Sequence, residues 1–206
     1  MFQTSHLIKR TAVTVVAFVG LMSMSAFAQE GRSEISVQGT GFFTKNSDGN
    51  GIRDRATETG GFLVGYRYNI TRWLAAEANY GYDRNTQSYF GGRSARVQAN
   101  IHTITSSAVV KLPGFAKLQP YLLAGGGALL FDPTNNSGGS FVGATGQAKG
   151  AFLYGGGADC AFTRHISLRA EYRGYVYKAP DFYVTGLNTD TWTHIAQPSA
   201  GIVYRF

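Results

Sequence analysis

Three residues near the C-terminus have the side-chain types of a hydrolytic site. His165, Ser167 and Glu171 lie within a stretch of seven residues. A serine, a histidine and a carboxylate act as nucleophile, general base and orienting acid in many hydrolases. Two other histidines, His102 and His194, have no serine and acid beside them at a recognisable spacing. The elements that carry His165, Ser167 and Glu171 therefore decide whether these side chains can meet.

A second candidate for chemistry is the polar segment NSDGNGIRD at residues 46–54. Its oxygen-bearing side chains alternate around a glycine, which is typical of calcium-binding loops. The twelfth position is Thr57, where such loops have glutamate, so a plain polar loop is the preferred interpretation. The glycine runs near residues 125 and 155 lack the phosphate-loop pattern and are interpreted as small residues that relieve crowding. We predict no catalytic residue, no cofactor and no metal site, and calcium binding at 46–54 stays open.

The candidate hydrolase residues border or lie in a segment, ISLRAEYRGYVY at 166–177, in which apolar and polar residues alternate. Side chains of a β-strand point to opposite faces in turn, so this pattern predicts a strand with one apolar and one polar face. Similar alternation marks seven further segments of about ten residues. The eight segments are 34–44, 58–68, 73–83, 101–112, 120–131, 150–162, 166–177 and 194–206.

The connections between these segments alternate in length. Short turns, NITR, PGFAKLQ and TRH, alternate with longer polar connections at 45–57, 84–100, 132–149 and 178–193. An antiparallel up-and-down sheet places all its long loops at one end and all its short turns at the other. The pattern therefore predicts eight antiparallel strands in up-and-down order, all-β, within one domain.

Two architectures fit eight amphipathic strands: a soluble barrel with the apolar set inside, and a membrane barrel with the apolar set facing lipid. The apolar set includes Ile166 and Leu168 and, on the fifth segment, Tyr121, Leu123, Leu129 and Phe131. Aromatic residues gather near segment ends, as in the aromatic girdles of membrane barrels. They are Phe43, Tyr82, Phe131 and Phe152 beside long loops, and Tyr68, Trp73, Tyr121, Phe162 and Phe206 beside short turns. We therefore predict an eight-stranded antiparallel transmembrane β-barrel, closed because lipid cannot satisfy a free sheet edge.

The polar set then lies inside the barrel. Eight strands enclose a space that side chains can fill, which argues against a wide pore. A charge buried without a partner costs several kcal/mol, so we expect the inward charges to pair. The predicted interior polar network consists of Arg67, Glu77, Lys111, Asp159, Arg169, Glu171, Arg173 and Arg205.

The N-terminus has the features of a signal peptide. Lys9 and Arg10 precede an apolar run that ends in a small-x-small cleavage pattern at Ala26–Ala28. We expect residues 1–28 to be removed and residues 29–206 to form the barrel. The other Lys and Arg residues are scattered, which argues against a nucleic-acid partner.

Taken together, the segment SLRAEYRGYVY and the ending AGIVYRF resemble the outer-membrane protein β-barrel family, whose relatives include opacity-type adhesins and the barrel domain of outer membrane protein A. The resemblance implies an integral protein of the cell outer membrane, in contact with outer-membrane lipid. It also implies that Ile202, Tyr204 and Phe206 form the C-terminal signal that the barrel-assembly machinery recognises.

The resemblance does not select a ligand, because barrels of this kind have several roles. We expect a structural or surface-binding, adhesin-like role through the four long extracellular loops, with contact residues such as Phe182, Tyr183 and Trp192. The alternatives are a lipid-A-modifying enzyme or a narrow pore. His165 lies at a short turn, on the end away from the outer leaflet, which argues against the enzyme.

Overall fold

A computed structural model describes residues 32–45, 47–49, 52–56, 58–90, 95–134, 146–179 and 191–206. These ranges hold ten strands, and none of their residues is helical. No helix long and apolar enough to cross a membrane occurs among them. The predicted signal peptide, Phe182 and Tyr183 lie outside the described residues. The strands are β1 (Ser33–Thr44), β2 (Ser47–Gly49), β3 (Ile52–Ala56), β4 (Thr59–Asn69), β5 (Leu74–Phe90), β6 (Ala95–Lys111), β7 (Leu118–Pro133), β8 (Gln147–Ala161), β9 (Ile166–Lys178) and β10 (Trp192–Arg205).

Eight of the strands close into a barrel, which confirms the predicted fold. β1 pairs with β4, and each strand from β4 to β10 pairs antiparallel with the next. The first and last strands then pair along the seam from Glu34↔Arg205 to Thr44↔Ile195. Closure leaves no free edge in the barrel wall, so the wall's backbone groups are satisfied from strand to strand.

The faces are inverted relative to a soluble protein. On β9, Ile166 and Leu168 are 41% and 46% exposed, whereas Arg169 and Arg173 are 2% and 0% exposed. Exposed aliphatic and aromatic side chains recur on the outer face of the other strands, among them Val37, Phe62 and Ile202. The apolar face is therefore on the outside and the polar face lines the interior.

The sequence-based assignment of β7 to these faces was wrong. Tyr121, Leu123, Leu129 and Phe131 are buried inside the barrel, and Leu122 is on the outside. Both faces of β7 are apolar, so no charge on this strand marks its inner face. Tyr121 and Phe131 accordingly do not belong to the aromatic girdles.

Two of the predicted long loops contain strand structure. β5 continues to Phe90 and β6 begins at Ala95, so most of the connection predicted at 84–100 consists of paired strand. Within the predicted loop 45–57, β2 and β3 form a hairpin that pairs with the extended part of β5. We call the β2, β3 and extended β5 and β6 segments the outer sheet. The plain polar loop expected at 46–54 is therefore a hairpin, and its Asn46, Asn50 and Gly51 lie outside the described residues.

Inward glycines let neighbouring strands approach closely. A Cβ atom on Gly157 would lie 2.5 Å from the Ala170 carbonyl oxygen and 2.8 Å from the Tyr121 hydroxyl. On the closing seam, a Cβ atom on Gly201 would lie 2.0 Å from the Val37 carbonyl oxygen. These contacts are too short for any real side chain, so the inner wall depends on glycine at both positions.

We predict that Gly201→Ala destabilises the barrel by about 1–3 kcal/mol, because the added methyl group must push β1 and β10 apart. Gly39→Ala on the same seam is the matched control, since its Cβ atom would meet only the Ala200 carbonyl oxygen, at 4.0 Å. The measurement is the urea midpoint of the refolded protein in detergent, followed by tryptophan fluorescence. Equal midpoints for the two variants would contradict the close-approach argument.

Candidate functional site

An ion cluster fills the barrel interior towards the short-turn end. Each of its side chains is buried, with an exposure of 5% or less. Buried charges are tolerated when they are paired and hydrogen-bonded on all sides. The ion cluster consists of Glu34 on β1, Arg67 on β4, Glu77 on β5, Asp159 on β8, and Arg169, Glu171 and Arg173 on β9.

Arg67 lies at the centre of the ion cluster and forms an ion pair with all four of its carboxylates. Its Nε donates to Glu77 at 2.5 Å and its Nη1 donates to Asp159 at 3.3 Å. Its nitrogens also lie 3.7 Å from Glu171 and 3.9 Å from Glu34. The planar guanidinium, with five donors and a weakly held hydration shell, suits this shared position better than lysine would.

Two arginines of β9 link the carboxylates on either side of Arg67. Arg169 binds Asp159 through two parallel hydrogen bonds of 2.7 and 2.8 Å, and it donates to Glu34 at 3.1 Å. Arg173 donates to Glu77 at 2.5 Å and to its strand neighbour Glu171. Such bidentate and charge-assisted contacts are the strong hydrogen bonds of proteins.

Glu34 joins the ion cluster to the short-turn mouth of the barrel. Its Oε1 accepts hydrogen bonds from Asn69 at 2.9 Å, Lys111 at 3.3 Å and Arg205 at 2.9 Å. Lys111 and Arg205 are partly exposed, so they mark where the buried interior meets solvent. Glu34 was not among the predicted network residues, although it has the same strand parity as the inward Gln38.

Tyr121 completes a ring of contacts that includes every barrel strand. Its hydroxyl donates to Glu171 at 2.6 Å, and the Arg67 guanidinium lies 4.2 Å from its ring centroid. β7 has no charged inward residue, and Tyr121 is its contribution to the site. With Lys111 from β6 and Arg205 from β10, the interior contacts join all eight barrel strands.

A second polar chain lies between the ion cluster and the outer end. The Asp83 carboxylate accepts hydrogen bonds from Thr40 at 3.0 Å and Gln197 at 3.3 Å. Gln197 in turn accepts from the Tyr175 hydroxyl at 2.8 Å. Asp83 is the last residue of the predicted strand 73–83. Because β5 continues to Phe90, Asp83 lies within the strand and its side chain is buried in the barrel interior.

An apolar layer closes the interior on the long-loop side. Its side chains are buried to 2% exposure or less, so no water-sized gap reaches them. The Phe131 and Tyr177 rings stack within it at a centroid distance of 6.0 Å. The apolar layer consists of Phe42, Ile101, Leu129, Phe131, Leu153, Tyr175, Tyr177 and Ile195. The interior is thus polar at one level and apolar at another, whereas the sequence pattern predicts polar side chains throughout.

The structure separates the candidate hydrolase residues. The Nδ1 atom of His165 lies 3.1 Å from the Arg205 carbonyl oxygen, and its ring stacks on Tyr204. Glu171 is four residues deeper than Ser167 along β9, about 13 Å at the rise of a strand. Its carboxylate is bound to Tyr121 and Arg173. The described part of the chain also holds no group of histidine, cysteine or acidic residues arranged for a metal ion.

A closed barrel with apolar side chains outside and ion-paired charges inside is the architecture of a transmembrane β-barrel. The family described as the outer membrane protein beta-barrel domain matches residues 14–206, and the chain belongs to it. Membership in this family places the protein in the outer membrane. No curated protein matches the sequence.

Several solved structures share the fold. Neisserial surface protein A is 16% identical with a TM-score of 0.59, over 84% of this chain and 97% of that chain. Ail of Yersinia pestis, in complex with the heparin analogue sucrose octasulfate, is 18% identical with a TM-score of 0.53, over 86% and 100%. The outer membrane protein AlkL in DMPC bilayers is 16% identical with a TM-score of 0.53, over 86% and 91%. At these identities the likeness establishes the fold alone.

We predict that Glu77→Gln destabilises the barrel by about 3–5 kcal/mol, because it leaves buried guanidinium groups without their counter-charge. Glu77 contacts Arg67, Arg173 and Arg169, the last at 3.5 Å. Glu58→Gln, which makes the same chemical change at an exposed residue, should stay within about 0.5 kcal/mol of the parent. Urea unfolding in detergent micelles measures both, and a loss below about 1 kcal/mol for Glu77→Gln would refute the central role of the ion cluster.

We predict that the refolded protein forms no steady channel in a planar lipid bilayer. Arg173, Leu153 and Tyr175 have an exposure of 0%, so water has no continuous path through the two interior levels. A stable ohmic conductance above the bare-bilayer noise would show that the interior opens.

Proposed function

We propose that this protein is a non-catalytic, surface-binding barrel of the outer membrane, with the outer sheet as its recognition surface. The observation that carries the proposal is the continuation of β5 and β6 beyond the barrel, where β3 pairs with β5. A recognition surface built on paired strands loses less conformational freedom on binding than a free loop does. The filled interior supports this role over that of a channel.

The register of the outer sheet places two arginines in one cross-strand row. Arg55 of β3 pairs with Ser88 of β5, and Ser88 pairs with Arg96 of β6. Residues directly opposite each other in neighbouring strands share a face of the sheet. Arginine suits phosphate, sulfate or carboxylate groups because the guanidinium fork binds two oxygens at once. We therefore propose an anionic surface glycan as the class of ligand.

We also propose that Ile202, Tyr204 and Phe206 are read by the barrel-assembly machinery. Ile202 and Tyr204 face outwards at 56% and 51% exposure, and Phe206 stacks on Tyr204 at a centroid distance of 6.1 Å. An alternating apolar row on the last strand is thus accessible from the lipid side, which supports a role as an assembly signal. The residues removed during export are proposed to be 1–28.

We predict that intact cells displaying the protein bind fluorescent sucrose octasulfate and that Arg55→Ser with Arg96→Ser weakens binding about tenfold, since two charge-assisted contacts are lost. This heparin analogue is a defined probe with closely spaced sulfates. On intact cells only the long-loop end of the barrel is accessible from outside. The measurement is a binding isotherm by flow cytometry at physiological salt.

The matched control is Arg72→Ser with Arg164→Ser, which removes the same charges from short turns at the opposite end. We expect this control to bind like the parent. If both double variants bind the probe equally weakly, the loss reflects net charge alone and contradicts a site on the outer sheet. An absence of saturable binding to the parent would overturn the proposed ligand class. Heat-modifiable gel mobility verifies that every variant is folded.

A further inference from the structure

The short-turn mouth of the barrel contains a cavity of about 640 Å³ that lies beneath the ion cluster. It is lined by the turn residues 70–72, by Gly114, Ala116 and Lys117 of another turn, by the ends of the neighbouring strands and by Arg32 and Arg205. We call this cavity the vestibule. Its volume falls within the range of small-molecule sites, which is about 300–1,000 Å³.

The charged lining of the vestibule is almost entirely basic. Arg32, Arg72, Lys111, Lys117 and Arg205 line it, and Asp159 is its one acidic lining residue. The Asp159 carboxylate accepts hydrogen bonds from Nε and Nη2 of Arg169, at 2.7 and 2.8 Å, so its charge is already neutralised. No other carboxylate of the described residues lines the cavity.

Three of these cations have no counter-charge in the described part of the chain. Lys111 and Arg205 are bound to Glu34, at 3.3 and 2.9 Å. Arg32, Arg72 and Lys117 form no ion pair with any described residue. They belong to three separate pieces of chain: the segment before β1, the β4–β5 turn and the β6–β7 turn. Their positive charge converges on one concave space.

The surroundings strengthen the attraction of this space for anions. A concave site lined by one sign of charge and enclosed by low-dielectric walls focuses the electrostatic field and raises the local concentration of counter-ions. Here the walls are the barrel strands, with lipid outside them. The buried ion cluster closes the inner end of the vestibule, so an anion can enter only from the periplasmic side.

We infer that the vestibule binds a small multivalent anion bearing phosphate or carboxylate groups, which it takes from the periplasmic side. Several cations on separate elements suit a ligand with more than one charged group. Asn69 and Gln119 also line the space, and their amide groups already donate hydrogen bonds to Glu34 and to the Leu112 carbonyl oxygen, so the cations are the groups that attract the ligand. This site lies at the opposite end of the barrel from the outer sheet and does not depend on the proposed surface binding.

The test uses the full barrel in dodecylmaltoside micelles, with tripolyphosphate as the probe and isothermal titration calorimetry as the readout. We expect saturable binding at low salt that weakens as salt rises, because ions screen exposed charges. Arg72→Gln should raise the dissociation constant about fivefold or more through the loss of one charge-assisted contact. Arg164→Gln is the matched control, because Arg164 is an exposed arginine in a short turn that does not line the vestibule.

The result that overturns the inference is an equal effect of Arg72→Gln and Arg164→Gln, or an absence of saturable binding by the parent. Retained heat-modifiable mobility shows that both variants are folded. A parallel titration in micelles doped with phosphatidylglycerol identifies the source of the anionic group. If phosphatidylglycerol leaves tripolyphosphate binding unchanged, the ligand is a soluble anion. If phosphatidylglycerol weakens tripolyphosphate binding to the parent but not to Arg72→Gln, the lipid headgroup binds at the same site. Failure of the outer-sheet experiment leaves this result unaffected, because tripolyphosphate is tested against residues of the opposite end.

Discussion

The structure depends on one buried arginine, Arg67, and the four carboxylates around it. Lipid outside the wall cannot solvate a charge, and the interior of an eight-stranded barrel is too narrow to do so with bulk water. The charges of the ion cluster therefore find counter-charges on other strands, whereas the Asp83 carboxylate is held by hydrogen bonds from Thr40 and Gln197. Glu34, Glu77, Asp159 and Glu171 come from four different strands and all contact Arg67. The barrel must therefore close for these carboxylates to reach Arg67, and their contacts with Arg67 in turn stabilise the closed barrel.

This constraint explains the distribution of small residues on β7 and β8. Gly155 and Gly157 pair with Arg173 and Glu171, and no side chain could stand at these positions without meeting the backbone of β9. The space that the glycines leave is taken by Tyr121, whose ring lies against Arg67 and whose hydroxyl binds Glu171. The close approach of β8 to β9 beside the ion cluster therefore requires glycine at both positions. Above this level the apolar layer packs without charges, so the long-loop end is supported by a rigid interior.

The fold was predictable from the sequence because alternation and loop length are local signals. Charged residues marked the inner face of β4, β5, β8 and β9, and the structure buries those charges, whereas Arg205 at the end of β10 is partly exposed at the short-turn mouth. β7 has no charged residue on its inner face. The sequence pattern therefore predicts that its bulkier apolar face contacts lipid, whereas in the structure that face lines the interior. The missing information was the register: Lys111 pairs with Tyr121, and paired residues share a face, so an inward Lys111 requires an inward Tyr121. The β2–β3 hairpin was unpredictable for another reason, because its stability comes from pairing with an extension of β5 that has no apolar alternation.

The short-turn end of the barrel has more cations than the interior needs for its own neutralisation. Three arginines of the ion cluster face four carboxylates, which leaves one negative charge in excess. Lys111 and Arg205 at the short-turn mouth more than offset that excess through Glu34. The cations Arg32, Arg72 and Lys117 then add charge that the interior does not need for its own balance. The three arginines of the ion cluster, with Lys111 and Arg205, are enough to neutralise the interior. The neutralisation of the interior therefore does not explain the other three cations at this end. The closed interior separates them from the outer sheet, and the two ends of the barrel are therefore free to bind different partners.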